Sequence, residues 1–112
     1  MRRTTIDGDD VLLLADDELR ALRGGFGWAL HGPFARTSDP GVDRDAALAV
    51  EHRLAPQTRL RPGDLDVLLT VMRAAVEGPR PLPRGDWRTL TLASDETARQ
   101  VLAALARLGR SS

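Results

Sequence analysis

The chain has 112 residues, of which 42% are hydrophobic and 29% are charged, and its formal net charge is zero. These values are typical of a single globular domain with one modest core, and they exclude both a disordered chain and a net field that attracts nucleic acid. The chain has no cysteine, and all 16 basic residues are arginine, which excludes disulfides, thiolate chemistry and amine nucleophiles. The apolar run at residues 11–15 is too short for a signal peptide or a membrane helix, so we expect a cytoplasmic protein without membrane contact.

The N-terminal residues predict a β-hairpin that leads into a helix. Asp7-Gly8 separates two short segments of β-favouring residues, and Asp-Gly in that position is a signal of a hairpin turn. Asp16, Asp17 and Glu18 follow in the expected first helical turn. Carboxylates there cap free N–H groups and meet the positive end of the helix dipole.

The first predicted helix ends at Gly32-Pro33, because glycine favours a left-handed cap and proline cannot continue the helix. Three glycines in its middle each cost about 1 kcal/mol relative to alanine. Either the helix is kinked there, or the glycines let another backbone come close. The apolar stripe of this helix has helical spacing and consists of Leu19, Leu22, Phe26 and Leu30, and the glycines are Gly24, Gly25 and Gly27.

Three further helices are predicted after the first. The second spans residues 44–54 behind an Asp43 cap and stops at Ala55-Pro56. The third opens at residues 60–64, carries an apolar stripe from Leu65 to Val76 and stops at Gly78-Pro79. The fourth spans residues 95–108 behind a Ser94 cap, and the alternation at residues 87–92 predicts a short strand before it.

The first and third predicted helices match at a constant spacing of 46 residues, from Leu19 and Leu65 to Gly32 and Gly78. The second and fourth match at a spacing of 51 residues. One helical hairpin cannot bury its apolar stripe alone, but two can cover each other. The predicted fold is therefore mainly α, a single domain over residues 1–112. Two pseudo-repeated helical hairpins, at about 11–55 and 58–108, form four helices with minor β segments.

No residue is identified as catalytic, cofactor-binding or metal-binding. The histidines, His31 and His52, lack the third convergent ligand that a metal site needs. His31 falls in a last helical turn, where a cation meets the negative end of the dipole. A partial glycine fingerprint at Gly25–Leu30 lies within a helix and lacks the third glycine of a dinucleotide site. The sequence thus favours a non-enzymatic protein without a cofactor.

Two surfaces are candidates for binding a partner. An acidic N-terminal surface can bind basic groups or mimic nucleic acid. A loop of arginines beside a tryptophan can stack on bases and bind phosphate, or serve a protein interface; alternatively, Trp87 anchors that loop on the core. The candidate residues are Asp16, Asp17, Glu18, Trp28, Arg80, Arg84, Trp87 and Arg88, with Asp7, Asp9 and Asp10 extending the acidic surface.

The stretch from Leu22 to Gly32, with Phe34, Arg36-Thr37 and residues 41–47, resembles a unit of small uncharacterised bacterial helix–loop–helix proteins. In those, an acidic start leads into a Leu-Arg-Asn-Ala-Leu-Asn-like helix, an aromatic loop and a Ser-Arg-Glu-Glu-Ala-like helix. This chain has glycine where that pattern has asparagine and alanine, and Trp28 where it has an acid. Some members resemble immunity or accessory proteins, and the resemblance carries over no functional residue.

Three functions remain open from the sequence. The leading hypothesis is a non-enzymatic protein-binding module, such as an immunity-type inhibitor of a partner protein. The second is a small nucleic-acid-associated regulator that uses the Arg80–Arg88 loop. The third is a small-molecule-binding or enzymatic role in a groove beside Gly24, Gly25 and Gly27. The partner's identity and the oligomeric state are not determined by the sequence.

Overall fold

The computed structural model describes residues 1–31, 43–77 and 94–110 of the chain. Within these ranges the protein is mainly helical with a small sheet, which confirms the predicted class. No helix there is long and apolar enough to cross a membrane. The elements follow in the order β1 (Arg2–Ile6), β2 (Asp9–Leu13), α1 (Asp16–His31), α2 (Arg44–Arg53), β3 (Gln57–Arg59), α3 (Asp64–Glu77) and α4 (Asp95–Arg110).

The N-terminal hairpin forms as predicted. β1 pairs antiparallel with β2, and Ile6 faces Asp9 next to the turn. The two turn residues, Asp7 and Gly8, have φ angles of 53° and 83°. A type I′ turn needs positive φ at both positions, and Asp-Gly tolerates this better than other pairs.

β3 was not predicted, because we expected only a helix stop and a helix start between residues 55 and 64. It pairs antiparallel with β2, with Leu12 opposite Thr58, and gives the sheet order β1-β2-β3. Two backbone bonds extend this pairing beyond the strands. The Leu14 N–H donates to the Pro56 carbonyl at 2.9 Å, and the Leu60 N–H donates to the Asp10 carbonyl at 2.8 Å.

The helices begin and end close to the predicted residues. Asp43 caps α2 through a 3.3 Å bond from the Ala46 N–H, and Ser94 caps α4 through a 3.1 Å bond from the Thr97 N–H. α2 ends at Arg53, one residue before the predicted end, and α4 runs two residues further than predicted. The strand predicted at residues 87–92 lies outside the described residues.

The core lies between the helices and one face of the sheet. α1 packs against α2, α3 and α4, and α3 packs against α2 and α4. The contact between α1 and α3 is close at Gly25, where an added Cβ would lie 2.6 Å from Met72 Sδ and 3.7 Å from Ala75 Cβ. The groups that come close at Gly25 are thus the side chains of Met72 and Ala75, not another backbone as the second explanation expected. The largest fully buried side chains include Phe26, Leu12, Leu22, Leu30, Leu68 and Leu105.

Candidate protein-binding surface

The outer side of α1 brings two of the predicted partner residues, Asp17 and Trp28, onto one face. Asp16 and Asp17 are exposed in the first turn, while the apolar residues of the stripe point into the core. Eleven residues separate Asp17 from Trp28, which is close to three full turns. The two side chains therefore leave the helix about 20° apart in direction and about 16 Å apart along its axis.

Two of the residues between these positions on the outer face are glycines. Gly24 and Gly27 are both partly exposed, and an added Cβ at Gly27 would meet nothing within 4 Å. Trp28 is partly buried and packs against the core from its edge. The exposed side of α1 therefore runs from the carboxylate of Asp17 past the exposed Arg20 and two glycines to a half-buried aromatic ring.

Contacts within the chain fix the acidic end of this face. The Ala15 N–H donates to Glu18 Oε1 at 2.9 Å, and the Met1 ammonium lies 2.6 Å from Glu18 Oε2. The Glu18 N–H in turn donates to Asp17 Oδ1 at 2.9 Å. Glu18 is thus engaged within the protein, while Asp16 and Asp17 are exposed on a helix start that it holds in place.

The opposite end of the same face meets α2. His31 ends α1, as its predicted role at the helix terminus requires, and its Nε2 lies 2.7 Å from Glu51 Oε1. Arg44 Nη2 donates to the Leu30 carbonyl at 2.8 Å and so satisfies one free carbonyl of the last turn. The end of the helix next to Trp28 is therefore also held by specific contacts.

The structure divides the predicted acidic N-terminal surface into two parts. Asp7 and Asp9 lie at the turn end of the hairpin, whereas Asp16 and Asp17 follow the other end of β2. At about 3.4 Å per residue, the length of β2 separates the two groups by about 14 Å. Asp10 is not free for a partner, because Arg3 Nη2 donates to its Oδ2 at 2.7 Å.

The ion pair of Arg3 with Asp10 adds a small pH dependence. The hydrogen bond from Arg3 lowers the pKa of the Asp10 carboxyl, against the opposing effect of desolvation. A lowered pKa stabilises the fold above the unfolded value near 4 and is lost as the pH falls through the folded value. We expect Asp10→Asn to lower the midpoint of thermal unfolding slightly at pH 7. The difference from the unaltered protein should shrink as the pH falls below the unfolded pKa and vanish once the pH is below the folded pKa of Asp10; a difference that persists there would assign the effect to something other than charge.

The described cavities lie away from the outer face of α1. The largest of them has a volume of about 380 Å³ and lies between the hairpin and the start of α3. Its charged lining is mixed in sign, with Arg3 and Arg61 beside Asp10 and Asp66. Within the three described ranges, no group of three or more His, Cys, Asp or Glu residues is placed to hold a metal ion.

The remaining predicted residues divide into two sets. The Met72 side chain occupies the space beside Gly25. The groove expected along the glycines of α1 is therefore closed at this position. Arg80, Arg84, Trp87 and Arg88 lie outside the described residues, and their arrangement as a binding loop stays a prediction. Searches against protein-family models, curated proteins and solved structures find no match to this chain.

Among the ion pairs that the sequence did not predict are Met1 with Glu18 and Arg53 with Asp64. The first joins residues 17 positions apart, and the second joins the end of α2 to the start of α3. Neither pair has the helical spacing of three or four residues that would reveal it. The shared face of Asp17, Gly24 and Trp28 could have been found from their spacing, because it follows from the helical period alone.

Proposed function

We propose that the chain is a non-enzymatic protein-binding module that contacts its partner through the outer side of α1. The observation that carries this proposal is the alignment of Asp17 with Trp28 on one side of α1, with Asp16 exposed in the same first turn. This face does not depend on Arg80, Arg84, Trp87 or Arg88. It can therefore be tested independently of the Trp87 loop.

The two exposed carboxylates at the start of α1 favour a basic group on the partner, and the exposed Arg20 one turn further on favours an acidic group beside it. Two carboxylates attract arginine or lysine and steer the encounter, although exposed ion pairs by themselves add little affinity. The flat stretch at Gly24 and Gly27 lets a partner's chain approach the α1 backbone closely. The exposed part of Trp28 then offers an aromatic anchor of the kind that dominates interface energies.

An immunity-type inhibitor of a target that presents a basic surface fits this description. The resemblance of residues 22–47 to small immunity-like and accessory proteins favours the same role. The absence of cysteine is the basis for proposing a cytoplasmic location.

The proposal is tested by capture from the host lysate with a tagged chain, followed by titration of the captured protein with purified variants. We expect Asp16→Lys/Asp17→Lys and Trp28→Ala each to weaken binding about tenfold or more. Asp66→Lys is the matched control, since Asp66 is an exposed acid in the first turn of α3. Equal loss with the Asp66 variant would mean that general charge, not this face, drives binding.

A nuclease treatment distinguishes the proposal from the nucleic-acid alternative. A captured protein that survives nuclease and is lost on altering the α1 face supports the binding module. Material that disappears with nuclease, and whose binding falls steeply with salt, would replace it by a regulator acting through the Arg80–Arg88 loop.

We also propose that the domain consists of two copies of one strand–helix–helix unit, related by a local twofold axis. Leu12 and Thr58 are 46 residues apart, the spacing of the sequence repeat, and they face each other across the β2–β3 ladder. The backbone hydrogen bonds at the two ends of this ladder also correspond to each other when 46 is added to a residue number. Leu14 donates to Pro56, and Leu60, 46 residues after Leu14, donates to Asp10.

The helix starts support the same relation. Glu18 accepts from the Ala15 N–H, and Asp64, 46 residues later, accepts from the Arg61 N–H at 2.8 Å. An experimental structure tests the repeat directly. Superposing residues 9–31 on residues 55–77 should also carry α2 onto the first ten residues of α4. If the strands and first helices superpose while α2 and α4 diverge, the repeat is restricted to a strand and one helix.

A further inference from the structure

β1 is an edge strand with a defined set of outward-facing backbone groups. Among the described residues, only β2 pairs with it. The pair Ile6–Asp9 flanks a two-residue turn and so exchanges both of its hydrogen bonds. Hydrogen-bonded and non-hydrogen-bonded pairs alternate along an antiparallel ladder. The N–H and C=O groups of Thr4 therefore point to β2, while those of Arg3 and Thr5 point outward.

The two ends of this hairpin carry opposite charges. Arg2 is exposed at its open end and Asp7 is exposed in its turn, whereas Arg3 is paired with Asp10 and Asp9 Oδ2 lies 3.7 Å from Arg59 Nε within the chain. A second hairpin laid antiparallel along the β1 edge brings the basic end of each copy beside the acidic end of the other. A parallel arrangement would place like charges together, which is unfavourable.

The outward groups also fix the register of such a pair. With Thr4 of one copy opposite Thr4 of the second copy, Arg3 faces Thr5 in both directions, and both of these residues have free outward groups. If the register is shifted by one residue, each residue whose N–H and C=O groups point to the second copy faces a residue whose groups point to β2. No hydrogen-bonded ladder can form in that register. A shift by two residues in either direction leaves a single hydrogen-bonded pair within the two strands, Arg3 with Arg3 or Thr5 with Thr5, and so forms two hydrogen bonds in place of four.

We infer that the chain forms a twofold-symmetric dimer through antiparallel pairing of two β1 strands, with Thr4 at the axis. The occupant of the free edge is thus a second copy of this chain, and the two sheets join into one continuous sheet. Ile6, a large hydrophobic residue that is 37% exposed, then lies opposite the aliphatic part of Arg2 of the second copy. This surface is separate from the outer face of α1, so the dimer does not depend on the proposed partner.

A single cysteine tests the register, because the natural chain has none. Two residues facing each other in a non-hydrogen-bonded pair have Cα atoms about 4.5 Å apart, within the range of a disulfide. We expect Thr4→Cys to form a covalent dimer under mild oxidation. Ile6→Cys is the matched control: its two cysteines would lie about 14 Å apart in the dimer, too far for a disulfide, and should form no covalent dimer. Equal crosslinking of both variants, or of Ile6→Cys alone, would overturn the register.

The mass in solution tests the dimer itself. Light scattering should give twice the chain mass of 12.2 kDa for the unaltered protein at high concentration. Thr5→Pro removes one outward N–H without touching the β2 ladder, so we expect a folded monomer with an unchanged circular dichroism spectrum. Thr5→Ala keeps the N–H and should remain dimeric. A monomer at every concentration, or a Thr5→Pro variant that is still dimeric, would overturn the inference.

Discussion

Replacing Asp64 by alanine is expected to lower the free energy of unfolding by about 3 kcal/mol. Asp64 is 6% exposed, and its carboxylate accepts hydrogen bonds from three donors. Arg53 Nη1 and Nη2 lie 2.5 Å and 3.1 Å from its two oxygens, and the Arg61 N–H donates to Oδ2 at 2.8 Å. Its removal leaves the Arg53 guanidinium without its carboxylate and the Arg61 N–H, just before α3, without its acceptor, and both losses act together.

The control for this prediction is Asp66→Ala, two residues further along the same helix. Asp66 is exposed, and its loss should cost about 0.5 kcal/mol through the helix dipole alone. Asp64→Asn separates the two functions of Asp64, because asparagine can still accept from the Arg61 N–H but carries no charge. Urea unfolding followed by circular dichroism gives all three values. If Asp64→Ala and Asp66→Ala cost the same, the Arg53–Asp64 contact does not brace the fold.

The helical part of the fold could be predicted because its signals are local. Apolar residues at helical spacing, acids in first turns and the caps at Asp43 and Ser94 act within one or two turns of the chain. The hairpin belongs to the same class, because Asp7-Gly8 alone specifies the turn. Such elements are determined by neighbours in sequence, and so a single sequence reveals them.

β3 could not be predicted because nothing local marks it. It has three residues between Pro56 and Pro62, and only Thr58 points into the core. The strand exists because β2 offers a ladder more than forty positions earlier in the chain. Thr58 satisfies its buried hydroxyl within its own turn, by donating to the Ala55 carbonyl at 2.8 Å. A buried polar residue of this kind resembles a loop residue until its partner strand is known.

The candidate surface shows the same division between local and distant causes. The alignment of Asp17 with Trp28 follows from helical geometry and was within reach of the sequence. The sequence did not reveal that the acidic residues form two separate groups, Asp7 with Asp9 and Asp16 with Asp17. This separation depends on β2 running straight between the two groups. The internal use of Glu18 depends on a chain terminus folding back onto α1.

Replacing Gly25 by leucine is expected to lower the free energy of unfolding by about 3 kcal/mol, at the upper end of the cost of overpacking a core. An added Cβ alone would lie 2.6 Å from Met72 Sδ, and a full isobutyl group must displace the Met72 side chain and separate α1 from α3. Gly27→Ala is the opposite case on the same helix. Its Cβ meets nothing within 4 Å, so the gain in helix propensity should stabilise the protein by about 1 kcal/mol.

A double variant separates the packing clash from any other effect of leucine at position 25. Met72→Ala by itself creates a cavity and costs about 2–5 kcal/mol. Combined with Gly25→Leu, it removes the clashing sulfur and gives the leucine a space to fill. The double variant should therefore be more stable than the sum of the two single costs implies, by about 1–3 kcal/mol. Simple additivity in thermal or urea unfolding would mean that Gly25 and Met72 do not share this contact. In that case the three glycines of α1 would need an explanation in the outer face, where Gly24 and Gly27 lie.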